Sequence, residues 1–564
     1  MDIVLVTYNS EKWINNCLIS LDREWNIGEK LNVYIVDNHS SDKTIEKLQD
    51  YQPQYFGKYI IKEENSNLGF GKANNVGAAL GNDEIICFIN IDTEILENTF
   101  TELQKEIILS EKNIGAWEMR QLPYEHPKIY NPVTRETSWM SGAAFAVRRT
   151  VFEQIKGFDE NIFMYAEDVD LSWRIRANGY LIRYCPNVSL YHYSYAKKNE
   201  VKPVQYIESI KNNLFLRYRF GTIKQILQGY YEFWKVLFLN RSPFPGAKTK
   251  LLKGFLEHWK KVPYFRKTKE KNRTIAQFYG WDYEKTRIGS FYRYTELKDK
   301  PLVSVIVRTC GRPSVLRETL LSLRNQVYDN IEIIVVEDGK PTAENMIKTQ
   351  FGDLNIRYVA TEEKKGRSFA GNIGMTLASG KYLNFLDDDD VFYADHVETL
   401  VAALEKDGNM AAYSLGFETP IEIKSTDPYE FEIKAYNSRY QQSFDKVKLC
   451  HHNYIPIQCI MFSKELFTEL GGLDTSLDYL EDWDLWVRYM QKTDFSCIMK
   501  TTSEYRVPFN KEFQNNRQEK LDQALEVVRK KHEQYIIKIA VSDLVKYGED
   551  NLWQILKEKF KFNR

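Results

Sequence analysis

Long apolar runs are missing from this chain of 564 residues, and none approaches the roughly 20 needed to span a bilayer as a helix. Cysteine is scarce and scattered: Cys17, Cys87, Cys185, Cys310, Cys450, Cys459 and Cys497 form no CxxC pair. An odd number of thiols, mostly within apolar surroundings, excludes a disulfide framework and a zinc ribbon and fits reduced core residues of a cytoplasmic protein. Net charge is also missing, at −1, so the molecule as a whole is no polyanion binder. The dinucleotide fingerprint is absent, because Gly69-Phe70-Gly71 lacks its third glycine. The chain starts on the strand-like Met1–Thr7, so a leader peptide is not expected.

What the chain does have is an unusual acidic run, Asp387-Asp388-Asp389-Asp390, directly after the apolar Tyr382–Leu386. Adjacent carboxylates raise the cost of ionising one another. A hard divalent cation such as Mg²⁺ or Mn²⁺ removes that cost and brings phosphate with it. Read as a buried strand, Lys381–Leu386 delivers the acids to its C-terminal end, where open α/β sheets bind ligands. A solvated acidic turn is the plain alternative. A weaker copy, Asn90-Ile91-Asp92, follows Cys87-Phe-Ile about 300 residues earlier.

Other landmarks recur in the same order. A β-branched strand ends at Thr7 and again at Thr309, with Asn9 and Arg312 in the turns beyond. A second strand ends at Asp37 and again at Asp338. A glycine-rich turn from Asn67 through Gly69 to Asn75 leads into a helix read at Val76–Leu80, and the stretch from Lys365 through Gly366 and Arg367 to Asn372 again precedes a helix. Backbone N–H groups there can face phosphate. An acid pair at a predicted helix start, Glu167-Asp168, returns as Glu481-Asp482. Such acids cap a helix against its dipole, and they can also take a proton from an acceptor hydroxyl. The offsets are about 302 residues (Thr7 to Thr309), 301 (Asp37 to Asp338), 297 (Asp92 to Asp389) and 314 (Asp168 to Asp482). Spacing this constant marks duplication of a whole domain. Strand–helix alternation in each copy predicts an α/β doubly wound parallel sheet.

These motifs resemble the family 2 glycosyltransferases of the GT-A fold, over about 400 residues in two tandem copies, the first similar to rhamnosyltransferase-like members. The resemblance implies Rossmann-like nucleotide-sugar-binding domains at 1–200 and 299–512, joined by a basic helical segment at 201–298 and followed by a helical tail at 513–564. It implies donor contacts from Thr7, Asn9, Asp37, Asn67, Gly69, Asn75, Asn90 and Trp139 in the first copy. In the second copy it implies them from Thr309, Arg312, Asp338, Gly366, Arg367, Asn372, Asp387 and Asp388. Mn²⁺ or Mg²⁺ is expected on Asp92 and His192 in the first copy and on Asp387 and Asp389 in the second. Asp168 and Asp482 are the expected bases, beside Glu167 and Glu481. Trp483, like Trp139, is either a sugar platform or a core aromatic. The second copy departs from the family at Tyr505-Arg-Val-Pro508, which has proline where a histidine is common. The first departs in having one carboxylate where the second has four.

The implied activity is a bifunctional inverting transfer from UDP- or dTDP-linked sugars to a glycan acceptor, lipid-linked, in bacterial surface polysaccharide synthesis. One rival is a single catalytic domain beside a glycan-binding or scaffolding one. A glycoside hydrolase is disfavoured, since its paired acids work without a nucleotide turn. Residues 197–273 carry 19 Lys and Arg against 5 Asp and Glu, interleaved with aromatics. That composition admits a helical linker packed on the first domain or a peripheral contact with anionic lipid. No recognition module accompanies it, so nucleic acid is not expected. The tail pattern (Leu521, Leu525, Val528, Ile536, Ile537, Ile539, Val541, Leu544) suits packing on the second domain or an oligomer contact.

Overall fold

The structure is a computed structural model that describes residues 1–23, 30–126, 128–193, 202–272, 275–289, 293–537 and 545. The first domain runs β1 (Asp2–Thr7), α1 (Ile14–Asp22), β2 (Asn32–Asp37), α2 (Thr44–Asp50), β3 (Lys58–Glu63), α3 (Phe70–Ala78), β4 (Ile85–Asn90), β5 (Thr93–Ile95), α4 (Thr99–Leu109), β6 (Ile114–Leu122), β7 (Ala144–Arg148), α5 (Arg149–Gln154), α6 (Glu167–Ala177) and β8 (Leu181–His192). The sheet order is β3-β2-β1-β4-β7-β6-β8-β5. Strands β3, β2, β1 and β4 are mutually parallel, linked by crossover helices as the alternation predicts. The rest departs from the expected parallel sheet, because β7 runs antiparallel to both β4 and β6. Loop, not helix, joins β6 to β7, and antiparallel neighbours need no crossover helix. Alternate residues of β1 face opposite layers: Ile3 and Leu5 join α1 in one core, and Val4 packs with Phe88 and Phe145 in the other.

Three helices follow: α7 (Pro203–Phe220), α8 (Ile223–Phe238) and α9 (Ala247–Lys267). They are docked on the first domain. Phe215, Phe220 and Phe265 share a core with Trp139, Ile162 and Trp173. The Asn212 amide donates to the Met164 and Tyr165 carbonyls at 2.9 and 2.8 Å. The buried Arg219 guanidinium pairs with both Asp159 and Asp170.

The second domain runs β9 (Val303–Thr309), α10 (Pro313–Arg324), β10 (Ile331–Glu337), α11 (Glu344–Gln350), β11 (Ile356–Ala360), α12 (Arg367–Leu377), β12 (Tyr382–Asp387), β13 (Val391–Phe392), α13 (His396–Asp407), β14 (Ala411–Thr426), β15 (Tyr429–Ile433), α14 (Lys446–His451), β16 (Ile460–Ser463), α15 (Lys464–Leu470), α16 (Glu481–Tyr489) and β17 (Phe495–Pro508). Its order, β11-β10-β9-β12-β16-β14-β17-β13, repeats the first sheet strand for strand, with β15 added against β14. The last helix, α17 (Lys511–His532), packs on this domain: Val528 is buried in its core and Lys531 Nζ lies 2.9 Å from Asp484. Of the tail positions read from the sequence, Ile539, Val541 and Leu544 lie outside the described residues.

The domains meet at a seam of buried charge. Arg287, from the segment between them, reaches Glu125 of the first domain at 3.3 Å and Asp395 of the second at 3.2 Å. Lys500 pairs with the same two acids. Arg120 meets Glu398 at 2.6 Å. Tyr130 accepts the Ala394 N–H, and the Asn325 amide donates to the Pro132 and Val133 carbonyls. Burial alone would raise the Asp395 carboxyl, but Lys500, Arg287 and Arg120 together hold it well below the usual range. Among the described residues no helix is long and apolar enough to cross a membrane.

Candidate active site

In the first domain the parallel strands end side by side. The Thr7 hydroxyl donates to the buried Asp37 carboxylate at 2.8 Å, which also accepts the Ser40 N–H at 2.8 Å. Asn9 sits at φ 50°, where Asn is better tolerated than most residues, and its side chain accepts the Ser41 N–H; Gly311, at φ 64°, takes the matching place after Thr309. Asn38 ties the second strand to the next loop, accepting from Leu68 N–H and donating to the Gly69 carbonyl, both at 3.1 Å. Asn67 accepts the Gly69 N–H at 2.9 Å. Gly69 is at φ 84°, and a Cβ there would stand 2.4 Å from the Phe163 carbonyl oxygen. Only glycine suits both demands.

Strand β4 ends at Asn90, whose backbone N–H donates to the Ala143 carbonyl at 2.8 Å and whose side-chain oxygen is buried without a partner among the described residues. Two residues on, Asp92 faces His192 across the β5–β8 pair, with Oδ1 3.4 Å from Nε2. His192 Nδ1 lies 2.8 Å from the Gln121 side-chain oxygen, an acceptor. A proton on Nδ1 leaves the lone pair on Nε2, aimed at a carboxylate. Two electron-rich groups so placed need a proton or a cation between them. His192 Nε2 is buried and has no hydrogen-bond partner among the described residues. This pair fits a divalent cation. Burial would raise the Asp92 carboxyl, yet the facing His192 imidazole holds it below its ordinary value. Among the described residues no three His, Cys, Asp or Glu side chains gather into a complete cage.

The acid pair starts α6. Ala166, just before it, has φ 68°, and Leu480, before the second pair, has φ 61°. Left-handed backbone at non-glycine residues stores strain of order 1–3 kcal/mol and clusters at functional sites. Asp168 accepts the Gly142 N–H at 2.8 Å and that of Val169 in its own helix at 2.8 Å. Asn90 holds the next residue, Ala143, so Asp168 and the end of β4 are moored to one short segment. Burial pushes the Asp168 carboxyl up, and burial with the neighbouring Asp168 charge pushes Glu167 well up.

The second domain builds the same corner with arginine in it. Arg308, one residue before Thr309, holds Asp387 through two hydrogen bonds of 2.7 and 2.8 Å and reaches Glu481 at 3.3 Å. Thr309 donates to Asp388 at 2.6 Å, and Arg312 bridges Asp388 and Asp389. Asp387 is thereby held below its ordinary value although burial opposes this. Asp388 is pushed up to about 7 by burial and by the Asp389 charge. Arg308 and Arg312 supply part of the countercharge to these carboxylates. Asp482 accepts Trp483 N–H at 2.8 Å and the Asn453 amide at 3.0 Å; burial first, then Glu481, pushes it up to about 7. Arg367 is half exposed, 3.8 Å from Glu481.

Several sequence expectations change here. Strand register pairs Thr7 with Asp37 but Thr309 with Glu337, so Asp37 matches Glu337 and Asn38 matches Asp338. The hydrogen bonds agree: Asp338 accepts Lys365 and Gly366 N–H as Asn38 joins Leu68 and Gly69. Asn75 and Asn372 are clasps, each with its amide closed on both backbone groups of one residue, Phe158 and Leu473. Trp139 and Trp483 are core side chains, the latter donating to the Leu449 carbonyl. Residues facing the post-β4 and post-β12 strands put Tyr505, not Pro508, at the place of His192, since Glu94 pairs with Tyr191 and Val391 with Glu504. Arg308 and Asn38 were missed by sequence reasoning. An arginine inside the apolar run Val303–Val307-Arg308 is the signal that could have found the first.

Two α/β sheets of one order, each bringing acids and a strained helix start to the ends of its parallel strands, define a duplicated α/β domain. Glycosyl transferase family 2 matches residues 2–165 and 304–471, more than half of the chain, and the chain belongs to that family. An uncharacterized glycosyltransferase of Rickettsia prowazekii is 32% identical over 192 residues, 34% of this chain and 59% of that one. The putative glycosyltransferase EpsH of Bacillus subtilis is 30% identical over 175 residues, 29% of this chain and 51% of that one. The chain thus spans little over half the length of these relatives. Among solved structures, residues 1–349 of S. aureus TarS in complex with UDP-GlcNAc align at 15% identity over 38% of this chain and 60% of that one, with TM-score 0.31. The Pyrobaculum calidifontis mannosyltransferase in complex with GDP-Man and Mn²⁺ aligns at 18% identity over 47% and 72%, with TM-score 0.29. Superpositions this loose carry no argument about this chain.

Proposed function

We propose that the chain transfers sugars from UDP- or dTDP-linked donors to a growing, lipid-linked glycan of a bacterial surface polysaccharide, with a donor site in each of the units 1–200 and 299–512. One observation carries this reading: in both domains the acid pair at the helix start is held to the end of the central strand, β4 or β12. In the first the link is the segment Gly142–Ala143, and in the second it is Arg308.

In the first domain the donor's nucleoside lies over Thr7, Asn9 and Asn38, and its diphosphate lies near Gly69 and Asn90. Asp92 and His192 would hold Mn²⁺ or Mg²⁺, which supplies positive charge against the diphosphate when bound. Asp168 takes the proton of an acceptor hydroxyl as that oxygen attacks the anomeric carbon. The bond from that carbon to the diphosphate oxygen breaks as the new C–O bond forms, and the nucleoside diphosphate leaves from the opposite face. One displacement inverts the configuration. Asp482 plays the same part in the second domain, where Arg308 and Arg312 provide fixed positive charge. Rhamnose is the favoured sugar of the first site.

The test is donor consumption and transfer across a panel of nucleotide sugars with Mn²⁺, on the intact protein and on Asp168→Asn and Asp482→Asn. Two donors consumed, each lost in a different variant, is the expected result. A second reading has its own observation: the arginine clamp on Asp387–Asp389 suits a domain that binds glycan without transferring it. One donor, lost only in Asp168→Asn, selects that reading.

A further inference from the structure

Helix α8 is apolar on two opposite faces, and among the described residues only one is covered. Gly229, Phe233, Val236 and Leu237 are buried against α7 and α9. On the other side Ile223, Leu227, Tyr231, Trp234 and Phe238 recur at helical spacing, with exposures of 74, 64, 65, 39 and 69%. The neighbouring helix continues the patch with Leu252, Leu256 and Trp259, exposed by 44, 64 and 50%. Rings join the two rows: Tyr230 stacks on Trp259 with centroids 5.8 Å apart, and Trp234 meets Phe255 edge-on at 5.2 Å. Scattered exposed apolar residues are ordinary, but a continuous patch with aromatic members marks a surface that meets something.

Charge selects the partner. Residues 222–267 carry 10 Lys and Arg against 2 Asp and Glu. Lys224, Lys253 and Lys260 are exposed on the two helices that bear the patch. A second copy of the chain would bring like charges together around the apolar rows. An anionic lipid surface satisfies both features at once: headgroups meet the lysines and the acyl boundary receives the aromatic and leucine side chains. We infer that the α8–α9 hairpin is a membrane-docking face, which seats the first domain on an anionic bilayer without crossing it. The inference holds whatever sugar is transferred.

The experiment is flotation of the full chain with vesicles of phosphatidylcholine alone and of phosphatidylcholine mixed with phosphatidylglycerol. Binding to the mixed vesicles only, weakened by salt, is expected. The variant Leu227→Gln/Tyr231→Gln/Phe238→Gln should bind at least tenfold more weakly, and Lys224→Gln/Lys253→Gln/Lys260→Gln roughly a hundredfold more weakly. All six side chains are exposed, so both variants should keep the parent's circular dichroism and melting temperature. No binding to the mixed vesicles, equal binding to both vesicle types, or unchanged binding by the folded variants overturns the inference. So does a dimer in analytical ultracentrifugation that the apolar variant abolishes, since the face then belongs to a second copy.

Discussion

Replacing Arg308 by methionine tests the second site's arrangement most directly. The Arg308 side chain is almost fully buried and answers two carboxylates, Asp387 through two hydrogen bonds and Glu481 at 3.3 Å. Methionine keeps the apolar stem and removes the charge. What remains is a pair of acids in a low-dielectric corner, a class of loss that costs about 3–5 kcal/mol. For a domain of roughly 200 residues, each kcal/mol moves the melting temperature about 2–4 °C, so a drop of roughly 6–20 °C is expected near pH 7. The pH dependence has a definite sign. Asp387 in the folded protein is held below its ordinary value, so its contribution is complete above the unfolded-state value near 4 and fades as pH falls through the folded one. In the variant the same carboxyl gains by protonating, so the gap between the two proteins should narrow on acidification. Arg367→Met is the control: half exposed and 3.8 Å from Glu481, that guanidinium should matter by less than about 1 kcal/mol. Adding Asp387→Asn to Arg308→Met should restore part of the loss. A melting temperature within about 2 °C of the parent's at pH 7, or a gap that widens in acid, would refute the reasoning.

The first site should bind Mn²⁺ measurably by electron paramagnetic resonance in the absence of donor, and Asp92→Asn or His192→Ala should each weaken that binding at least tenfold. Asp387→Asn should leave the same signal in place, since the second cluster is countered by arginine. Gly69→Ala should lower stability by about 1–3 kcal/mol in urea unfolding, because alanine at φ 84° is strained and its Cβ would meet the Phe163 carbonyl oxygen. If Asp482 is the base of the second domain, its rate should fall about tenfold per pH unit below a midpoint near 7, the value to which burial and Glu481 push its carboxyl. A rate flat from pH 5 to about 8 would remove it from that role.

The duplication was legible because strand ends and helix starts carry their chemistry at fixed distances along the chain, and the placement of Asp387 at the end of a buried strand was legible for the same reason. What escaped was anything decided by register. Thr7 to Thr309 and Asp37 to Asp338 differ in spacing by only one residue, which loops absorb freely in sequence; in a sheet, one residue turns a side chain to the other face. Hence Asn38, not Asp37, holds the place of Asp338. The parallel half of each sheet followed from its helical crossovers, while the antiparallel half is reached through loops that leave no periodic trace. Asn75 and Asn372 read as donor ligands because an asparagine beside a glycine turn does not announce that both ends of its amide close on a distant backbone. Arg308 hid in a strand, where a charged residue reads as an edge position until its two acidic partners, from two other elements, are seen.

The buried ions between the two halves bear on modularity. A duplicated gene ordinarily leaves two cassettes that can be cut apart, exchanged or expressed alone. Here Arg287 comes from neither sheet and answers acids in both, while Arg120 of one half has its partner, Glu398, in the other. A cut near residue 298 would take one of two cations from each acid, leaving Asp395 with Lys500 and Glu125 with Arg287, and would part Arg120 from Glu398. Arg120 and Glu398 would then have to be rehydrated, at several kcal/mol. Recombination that swaps one copy for a relative's must therefore carry residues 275–289 and both acidic partners with it. Buried pairs that cross the boundary tie the two copies to each other, so a change at one side of the seam calls for an answering change at the other.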